Sequence, residues 1–143
     1  MNIHALRLLT AARMAWIGYR HWRPFERLSR QPREAQENLL RAILRQNRDT
    51  ELGRLYGFAD MQGYADYRDR VPVHDYEALR PYIERQEAEN KPCVTADDTA
   101  FYVLTSGTTA KPKYIPITEP TIRQYRVTQS LAAYSVYQGV RGA

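Results

Sequence analysis

Residues 105–113 hold the side chains in this sequence that are best suited to bind a phosphate group. They read Thr-Ser-Gly-Thr-Thr-Ala-Lys-Pro-Lys, a run of hydroxyl side chains with one glycine and two lysines. Backbone N–H groups, hydroxyls and ammonium groups can together surround phosphate oxygens, and glycine allows close backbone approach. The motif G-x-x-x-x-G-K-[ST] of many kinases and GTPases is not met, because Pro112 replaces its second glycine and Tyr114 follows Lys113. Taken alone, the segment is equally typical of a turn.

Two extended runs and a helix are predicted around this loop. Residues 100–104, Ala-Phe-Tyr-Val-Leu, are apolar and β-prone, which predicts a buried strand. Residues 114–118, Tyr-Ile-Pro-Ile-Thr, predict a second strand, and a helix then opens at Glu119 and Pro120. The order strand, loop, strand, helix indicates that the loop joins two strands of an α/β fold.

Helices are predicted for most of the sequence before residue 90. Residues 3–22 contain many helix formers, and Pro24 is expected to interrupt their helix. Residues 33–47 show the apolar stripe of an amphipathic helix that packs on a core. A short helix is expected to begin at the cap-like residues 49–51 and to stop near Gly53 or Gly57, and another is expected at 62–69. The stripe consists of Ala35, Leu39, Leu40, Ile43 and Leu44.

Three other chemically capable residues are interpreted as structural. Asp75 is placed to cap a helix that runs through Ile83. His74 would need a nucleophile or carboxylate partner to act as a general base, and the sequence identifies none. Cys93 lies in a polar connection, residues 89–99, without a catalytic partner. One cysteine forms no intrachain disulfide and no thiolate metal site, which favours a reducing compartment and a cytoplasmic location.

The positive charge of the sequence is concentrated at its N-terminus. Residues 1–30 carry six arginines and one glutamate, whereas the other 113 residues carry 15 basic and 15 acidic side chains. Nothing in that larger part indicates nucleic acid as a partner. A solvated helix face is the favoured interpretation of the basic segment, while a targeting role or weak contact with an anionic membrane surface stays open. Five arginines fall within an arc of about 100° on a helix: Arg13, Arg20, Arg23, Arg27 and Arg30.

The loop and four sequence blocks resemble one family of enzymes. The loop resembles the phosphate-binding motif Thr-Ser-Gly-Thr-Thr-Gly-x-Pro-Lys of the adenylate-forming enzymes. The blocks are similar to the acyl-acid amido synthetases of the auxin-responsive (Gretchen Hagen) family, and they cover residues 50–58, 70–76, 80–83 and 113–118. A related acyl-CoA ligase would share the loop, but the blocks favour the amide-forming family.

The resemblance implies a fold, a reaction and a set of site residues. The implied fold is α/β: a helical region leads into the first strands, and residues 31–143 form the N-terminal, incomplete part of an adenylate-forming domain. The basic helical segment at residues 1–30, inferred from its charge and composition, precedes that part. The reaction uses ATP and Mg²⁺ to adenylate a small carboxylic acid, after which an amino-acid amine accepts the acyl group. No catalytic residue and no protein ligand to a metal is implied. The residues that would bind the nucleotide phosphates are Thr105, Ser106, Gly107, Thr108, Thr109 and Lys113.

Motifs that this family carries beyond the loop have no match in the sequence. We therefore expect an N-terminal fragment of a larger ligase that is inactive by itself. Two alternatives of other classes stay open. One is a basic module that binds a membrane surface or nucleic acid through residues 1–30, and the other is a truncated gene product without function.

Overall fold

The computed structural model describes residues 2–105 and 112–141, without the side chain of Arg141, and it divides the chain into two compact units. One unit combines Met1–Ala35 with Ile122–Ala143, and the other is Gln36–Thr121. The described part is mostly helical and contains two strands. None of its helices combines the length and the apolar character needed to cross a membrane. The sequence-based domain boundary at residue 30 stays a prediction.

A nearly continuous helical segment opens the first unit. Helix α1 spans Ile3–Ile17, a π-helical turn spans Gly18–Trp22, and helix α2 spans Arg23–Ser29. Pro24 does not end this helical segment, but a π-helical turn replaces the α-helix just before it. A proline ring clashes with the carbonyl four residues earlier in an α-helix, and the wider π-helical turn relieves that clash. The Arg23 N–H accordingly bonds to the Gly18 carbonyl, five residues back.

The first unit also contains most of helix α7, which spans Glu119–Arg141. Its Tyr134 packs against the π-helical turn, where the ring centroids of Trp22 and Tyr134 are 5.3 Å apart. Gly18 is buried at this contact, and a Cβ there would lie 2.6 Å from Tyr134 Oη. The absence of a side chain at Gly18 therefore gives the tyrosine its room.

Four further helices lie between α2 and the strands, close to where the sequence predicts them. A 3₁₀ turn at Phe58–Asp60, which the sequence did not predict, follows the second of these helices. The extended segment before Asp75 and the connection before the first strand also agree with prediction. The helices are α3 at Pro32–Gln46, α4 at Glu51–Tyr56, α5 at Tyr64–Arg70 and α6 at Tyr76–Glu89.

Both ends of helix α4 are fixed by the residues that the sequence places there. The Thr50 hydroxyl accepts a hydrogen bond from the Gly53 N–H at 2.9 Å and donates one to the Asn47 carbonyl at 2.7 Å. The side chain of Thr50 is fully buried. A Cβ on Gly53 would lie 2.0 Å from the Asn47 carbonyl oxygen, so that position requires glycine. The helix ends at Gly57, whose φ of 69° is in the left-handed region.

The apolar stripe of helix α3 is only partly used for packing. Leu44 is buried, but Leu39 is 61% exposed and Ile43 is 47% exposed. The prediction that this stripe packs as a whole is therefore wrong for the described residues. An amphipathic pattern predicts which side chains share a face, but it does not specify how much of that face a neighbour covers.

The side chain of Gln86 joins helix α6 to the connection that follows it. Its oxygen accepts hydrogen bonds from the N–H groups of Val94 and Thr95, at 2.8 and 3.1 Å. Its nitrogen donates to the hydroxyl of Thr99 at 3.0 Å. Gln86 is buried, and near it lie the buried side chains of Ile83 and Cys93. Its three bonds therefore hold the chain at the start of the first strand.

The two strands form one antiparallel hairpin. Strand β1 spans Thr99–Thr105 and strand β2 spans Lys113–Thr118, each longer by one or two residues than predicted. The prediction that the first strand is buried is wrong, because Phe101 is 50% exposed and Leu104 is 58% exposed. A sheet of two strands has few neighbours to cover its faces, so strong β-propensity here does not produce burial.

We predict that Thr50→Ala lowers the free energy of unfolding by about 1 to 2 kcal/mol, because it removes a buried N-cap hydroxyl. Thr50→Ser is the matched control, since it keeps the hydroxyl and loses only a methyl group. Urea unfolding followed by circular dichroism measures both variants. Equal destabilisation by serine and alanine would show that packing, and not the cap, dominates at this position.

Candidate functional site

The structure places the two ends of the predicted phosphate loop side by side. Thr105 ends strand β1, Lys113 begins strand β2, and the two residues are partners in the antiparallel register. The other predicted site residues, Ser106, Gly107, Thr108 and Thr109, lie outside the described residues. The described structure therefore brings together the two residues, Thr105 and Lys113, that flank the rest of the predicted phosphate-binding segment.

Helix α6 contacts residues 112–114, at the C-terminal end of the loop. The Tyr76 hydroxyl accepts a hydrogen bond from the Tyr114 N–H at 2.7 Å and lies 3.2 Å from the Tyr114 carbonyl oxygen, to which it donates. One helical turn later, Arg80 Nη1 donates to the Pro112 carbonyl at 3.2 Å. The backbone on both sides of Lys113 is therefore tied to one helix.

The two cations beside the loop base differ in their partners. Arg80 is 13% exposed in its side chain and pairs with Glu77 at 2.8 Å and Glu84 at 3.8 Å. Its hydrogen bonds with Glu77 raise the pKa of Arg80 above its ordinary value, so it stays charged. Lys113 Nζ lies 5.5 Å from the centroid of the Tyr76 ring and forms no ion pair within the described part of the chain. Its charge therefore remains available to an anion.

Sequence reasoning did not identify Tyr76 and Arg80 as supports of the loop. Both residues belong to the blocks that carry the family resemblance, but the sequence assigns them only to a helix that follows an N-cap. That cap is present, with Asp75 Oδ1 accepting from the Ala78 N–H at 2.9 Å. The spacing of four residues between Tyr76 and Arg80 places them on one helix face, which is the signal that was available.

His74 has a structural partner. Its Nε2 lies 2.7 Å from the Tyr56 hydroxyl, and the two ring centroids are 5.6 Å apart. A tyrosine hydroxyl bonded to an imidazole links the extended segment before α6 to the end of helix α4. The contact agrees with the structural interpretation of His74.

Cys93 lies in a small charged cluster and is itself buried, with 3% exposure. Burial raises the pKa of the Cys93 thiol above its ordinary value, and the neighbouring Glu51 carboxylate raises it further. Glu51 bonds to Arg85 at 2.6 Å, and that hydrogen bond lowers the pKa of the carboxyl group. A thiol that is buried and kept protonated is a poor nucleophile. The cluster therefore stabilises the connection rather than supplying reactivity.

Metal-ligating groups are not clustered in the described ranges. Across residues 2–105 and 112–141 there is no set of three His, Cys, Asp or Glu side chains that could hold a metal ion. Mg²⁺ often binds through phosphate oxygens, waters and only one or two carboxylates. The described residues thus provide no cluster of side chains that could bind a metal ion by themselves. A Mg²⁺ ion that is bound to a nucleotide does not require such a cluster.

We predict that iodoacetamide alkylates Cys93 at least about tenfold more slowly in the native chain than in urea at the same pH, because burial and the raised pKa lower the accessible thiolate. Glutathione, measured in both solvents, corrects for the effect of urea on the reagent. Alkylation can be followed by intact mass at pH 8. Equal native and denatured rates would show that the thiol is accessible.

Comparison with known proteins gives consistent matches over this region. The family model described as "GH3 family N-terminal domain" matches residues 22–142. A jasmonoyl–L-amino acid synthetase, GH3.3 of Oryza sativa subsp. japonica, is 34% identical over 110 residues, which is 73% of this chain and 24% of that protein. The indole-3-acetic acid-amido synthetase GH3.15 of Arabidopsis thaliana is 33% identical over 121 residues, 82% of this chain and 20% of that protein.

Solved structures give the same match. The acyl acid amido synthetase AtGH3.15, solved in complex with 2,4-DB, superposes with a TM-score of 0.66 at 29% identity and covers 74% of this chain. The match spans 19% of that protein. The chain therefore spans about a fifth to a quarter of the length of these relatives, and the helices followed by two strands correspond to their N-terminal part.

Proposed function

The chain belongs to the GH3 family, and from this premise we propose that it is the N-terminal portion of an ATP-dependent acyl-acid amido synthetase. The match of residues 22–142 to the N-terminal domain of that family is the observation that carries the proposal. Matched relatives are named as jasmonoyl–L-amino acid and indole-3-acetic acid-amido synthetases. The proposed substrates are a small carboxylic acid and an amino acid, and the identity of each is left open.

The proposed reaction solves the poor reactivity of a carboxylate in two steps. A carboxylate oxygen attacks the α-phosphorus of ATP, forming an acyl-adenylate and releasing pyrophosphate. The amine of the amino acid then attacks the acyl carbon, an amide forms, AMP leaves and the amine loses a proton. Charge develops on phosphate oxygens in the first step, so fixed donors and cations at the phosphates stabilise its transition state.

The loop at residues 105–113 is proposed to hold the β- and γ-phosphates. In this scheme Ser106, Thr108 and Thr109 donate from their hydroxyls, and Gly107 allows close backbone approach. Lys113 supplies positive charge, while Mg²⁺ bound to the nucleotide shares that task. The geometry at Lys113 supports the assignment, because its ammonium group has no acidic partner among the described residues and is held over the Tyr76 ring.

The sequence motif of the loop supports phosphate binding, but adenylation needs more than phosphate contacts. Groups that bind adenine, ribose and the two other substrates are not identified in this chain. We therefore propose that the 143-residue chain binds polyphosphate and does not by itself complete the first step. A cytoplasmic location is part of the proposal, since the substrates are ATP and small metabolites.

We predict that Lys113→Met weakens binding of inorganic tripolyphosphate about tenfold, since a charge-assisted contact to phosphate is lost. Lys91→Met is the matched control: it removes the same charge from an exposed lysine that pairs with Glu89. Isothermal titration calorimetry with Mg²⁺ present measures both. Equal weakening by the two variants would show that net charge, and not the loop, governs binding.

We also predict that the purified 143-residue chain exchanges no pyrophosphate into ATP, because it supplies only the phosphate loop. The assay contains Mg²⁺ and a panel of carboxylic acids that includes jasmonic acid and indole-3-acetic acid. A solved relative such as GH3.15 serves as the positive control. Exchange above background would contradict the proposed inactivity and would place the whole adenylation site within these residues.

A second candidate function is weak contact with an anionic membrane surface through helix α1. The observation that favours this candidate is the exposure of large apolar side chains on helix α1: Leu8 is 73% exposed, Leu9 is 63% exposed and Trp16 is 58% exposed. Arg13 and Arg20, on the same segment, are also exposed. Exposed Trp, Leu and Arg side chains on one segment are groups that can contact an anionic lipid surface.

We predict for this candidate that the chain sediments with vesicles containing phosphatidylserine and not with neutral phosphatidylcholine vesicles. Trp16→Ala and Arg13→Gln/Arg20→Gln should each reduce the bound fraction at least about twofold, because both apolar insertion and charge contribute. Trp22→Phe, at a half-buried residue of the same segment, is the control. Binding that is unchanged in both test variants would leave the solvated face as the interpretation.

A further inference from the structure

The outer edge of strand β2 is the starting point for a further inference, which rests on the proposed function. In an antiparallel pair, backbone groups alternate between the partner strand and the opposite edge. The Tyr114 N–H and carbonyl both bond to the Tyr76 hydroxyl, so at Tyr114 the backbone faces away from β1. Pro116, two residues on, faces the same way and has no N–H to satisfy.

One hydroxyl therefore replaces a third strand at this edge. Each backbone amide offers one donor and one acceptor, and a neighbouring strand would normally bond to both. The Tyr76 oxygen does so from a helix side chain, as acceptor at 2.7 Å and donor at 3.2 Å. This pairing fixes the position of the Tyr114 peptide, and with it the residue before it, Lys113.

The ring of Tyr76 contributes a second constraint on the same lysine. Lys113 Nζ lies 5.5 Å from the ring centroid, and the guanidinium carbon of Arg80 lies 4.7 Å from it. Arg80 is neutralised by two glutamates and also holds the Pro112 carbonyl, so it acts as a support. Lys113 is held by its backbone and by its side chain, while its charge is left for a ligand.

We propose that Tyr76 is the positioning residue of the phosphate loop, acting through Lys113. Its hydroxyl fixes the Tyr114 peptide, its ring orients the Lys113 ammonium group, and neither contacts the phosphates. A lysine side chain has four rotatable bonds, so fixing its direction before the ligand arrives lowers the conformational entropy that is lost on binding. The hydroxyl is the part of Tyr76 that a single substitution can remove while leaving the ring in place.

The test compares Tyr76→Phe with the control Tyr82→Phe. The control also removes a hydroxyl from helix α6, but the Tyr82 hydroxyl forms no hydrogen bond with the described residues. In Tyr76→Phe the amide hydrogen of Tyr114 should exchange at least about tenfold faster, while that of Ile115, which faces β1, is unchanged. The Kd for tripolyphosphate with Mg²⁺ should rise about fivefold, because the two hydrogen bonds that position the backbone next to Lys113 are lost. Tyr82→Phe should change neither quantity.

A double-mutant cycle separates positioning from general stability. If Tyr76 acts through Lys113, Tyr76→Phe should have no further effect on tripolyphosphate affinity when Lys113→Met is already present. Additive effects would overturn the positioning role, and so would an unchanged Kd in Tyr76→Phe. Wild-type chain that binds no tripolyphosphate would instead overturn the proposed phosphate site, and the inference with it, so the two failures are distinct.

Discussion

The buried amide of Gln86 is the interaction on which the order of the second unit depends. It supplies partners to the N–H groups of Val94 and Thr95 and to the hydroxyl of Thr99. A connection of polar and turn-forming residues cannot bury its own backbone without such partners. With Gln86 in place, Cys93 can be buried and strand β1 can begin at a fixed point. Because a buried amide whose oxygen and nitrogen are both hydrogen-bonded also excludes other arrangements, it sets the path of the chain as well as stabilising it.

Helix α6 consequently holds the hairpin at two places. Gln86, near its C-terminal end, fixes the start of β1, and Tyr76, in its first turn, fixes the start of β2. The Asp75 carboxylate caps the first turn of this helix, which carries Tyr76. Changes at Asp75 should therefore be felt at the start of β2, through Tyr76. The base of the proposed phosphate loop depends on a helix that ends before the hairpin begins.

Local features could be predicted from the sequence, and distant contacts could not. The Asp75 cap acts within its own helix end, so residue type and spacing were sufficient to predict it. For helix α4 they limited the cap to residues 49–51 and the end to Gly53 or Gly57, and the structure selects Thr50 and Gly57. The Tyr76 contact joins residues 38 positions apart, and its acceptor and donor are backbone groups that every residue carries. Nothing in the composition of residues 112–114 signals such a partner. Strand burial was also beyond local reasoning, because exposure of Phe101 depends on which neighbours cover the sheet and not on its own β-propensity.

The two edges of the hairpin differ in what they can accept. On β2, Tyr114 is already bonded to Tyr76 and Pro116 has no N–H to donate, so a further strand cannot pair there in regular register. The same alternation turns the backbone groups of Tyr102 and Leu104 toward the outer edge of β1, where no other described segment pairs with them. An unpaired edge with apolar side chains such as Leu104, which is 58% exposed, is costly to leave open. Any strand that extends this sheet must therefore join at β1, on the side of the hairpin away from the residues that support Lys113.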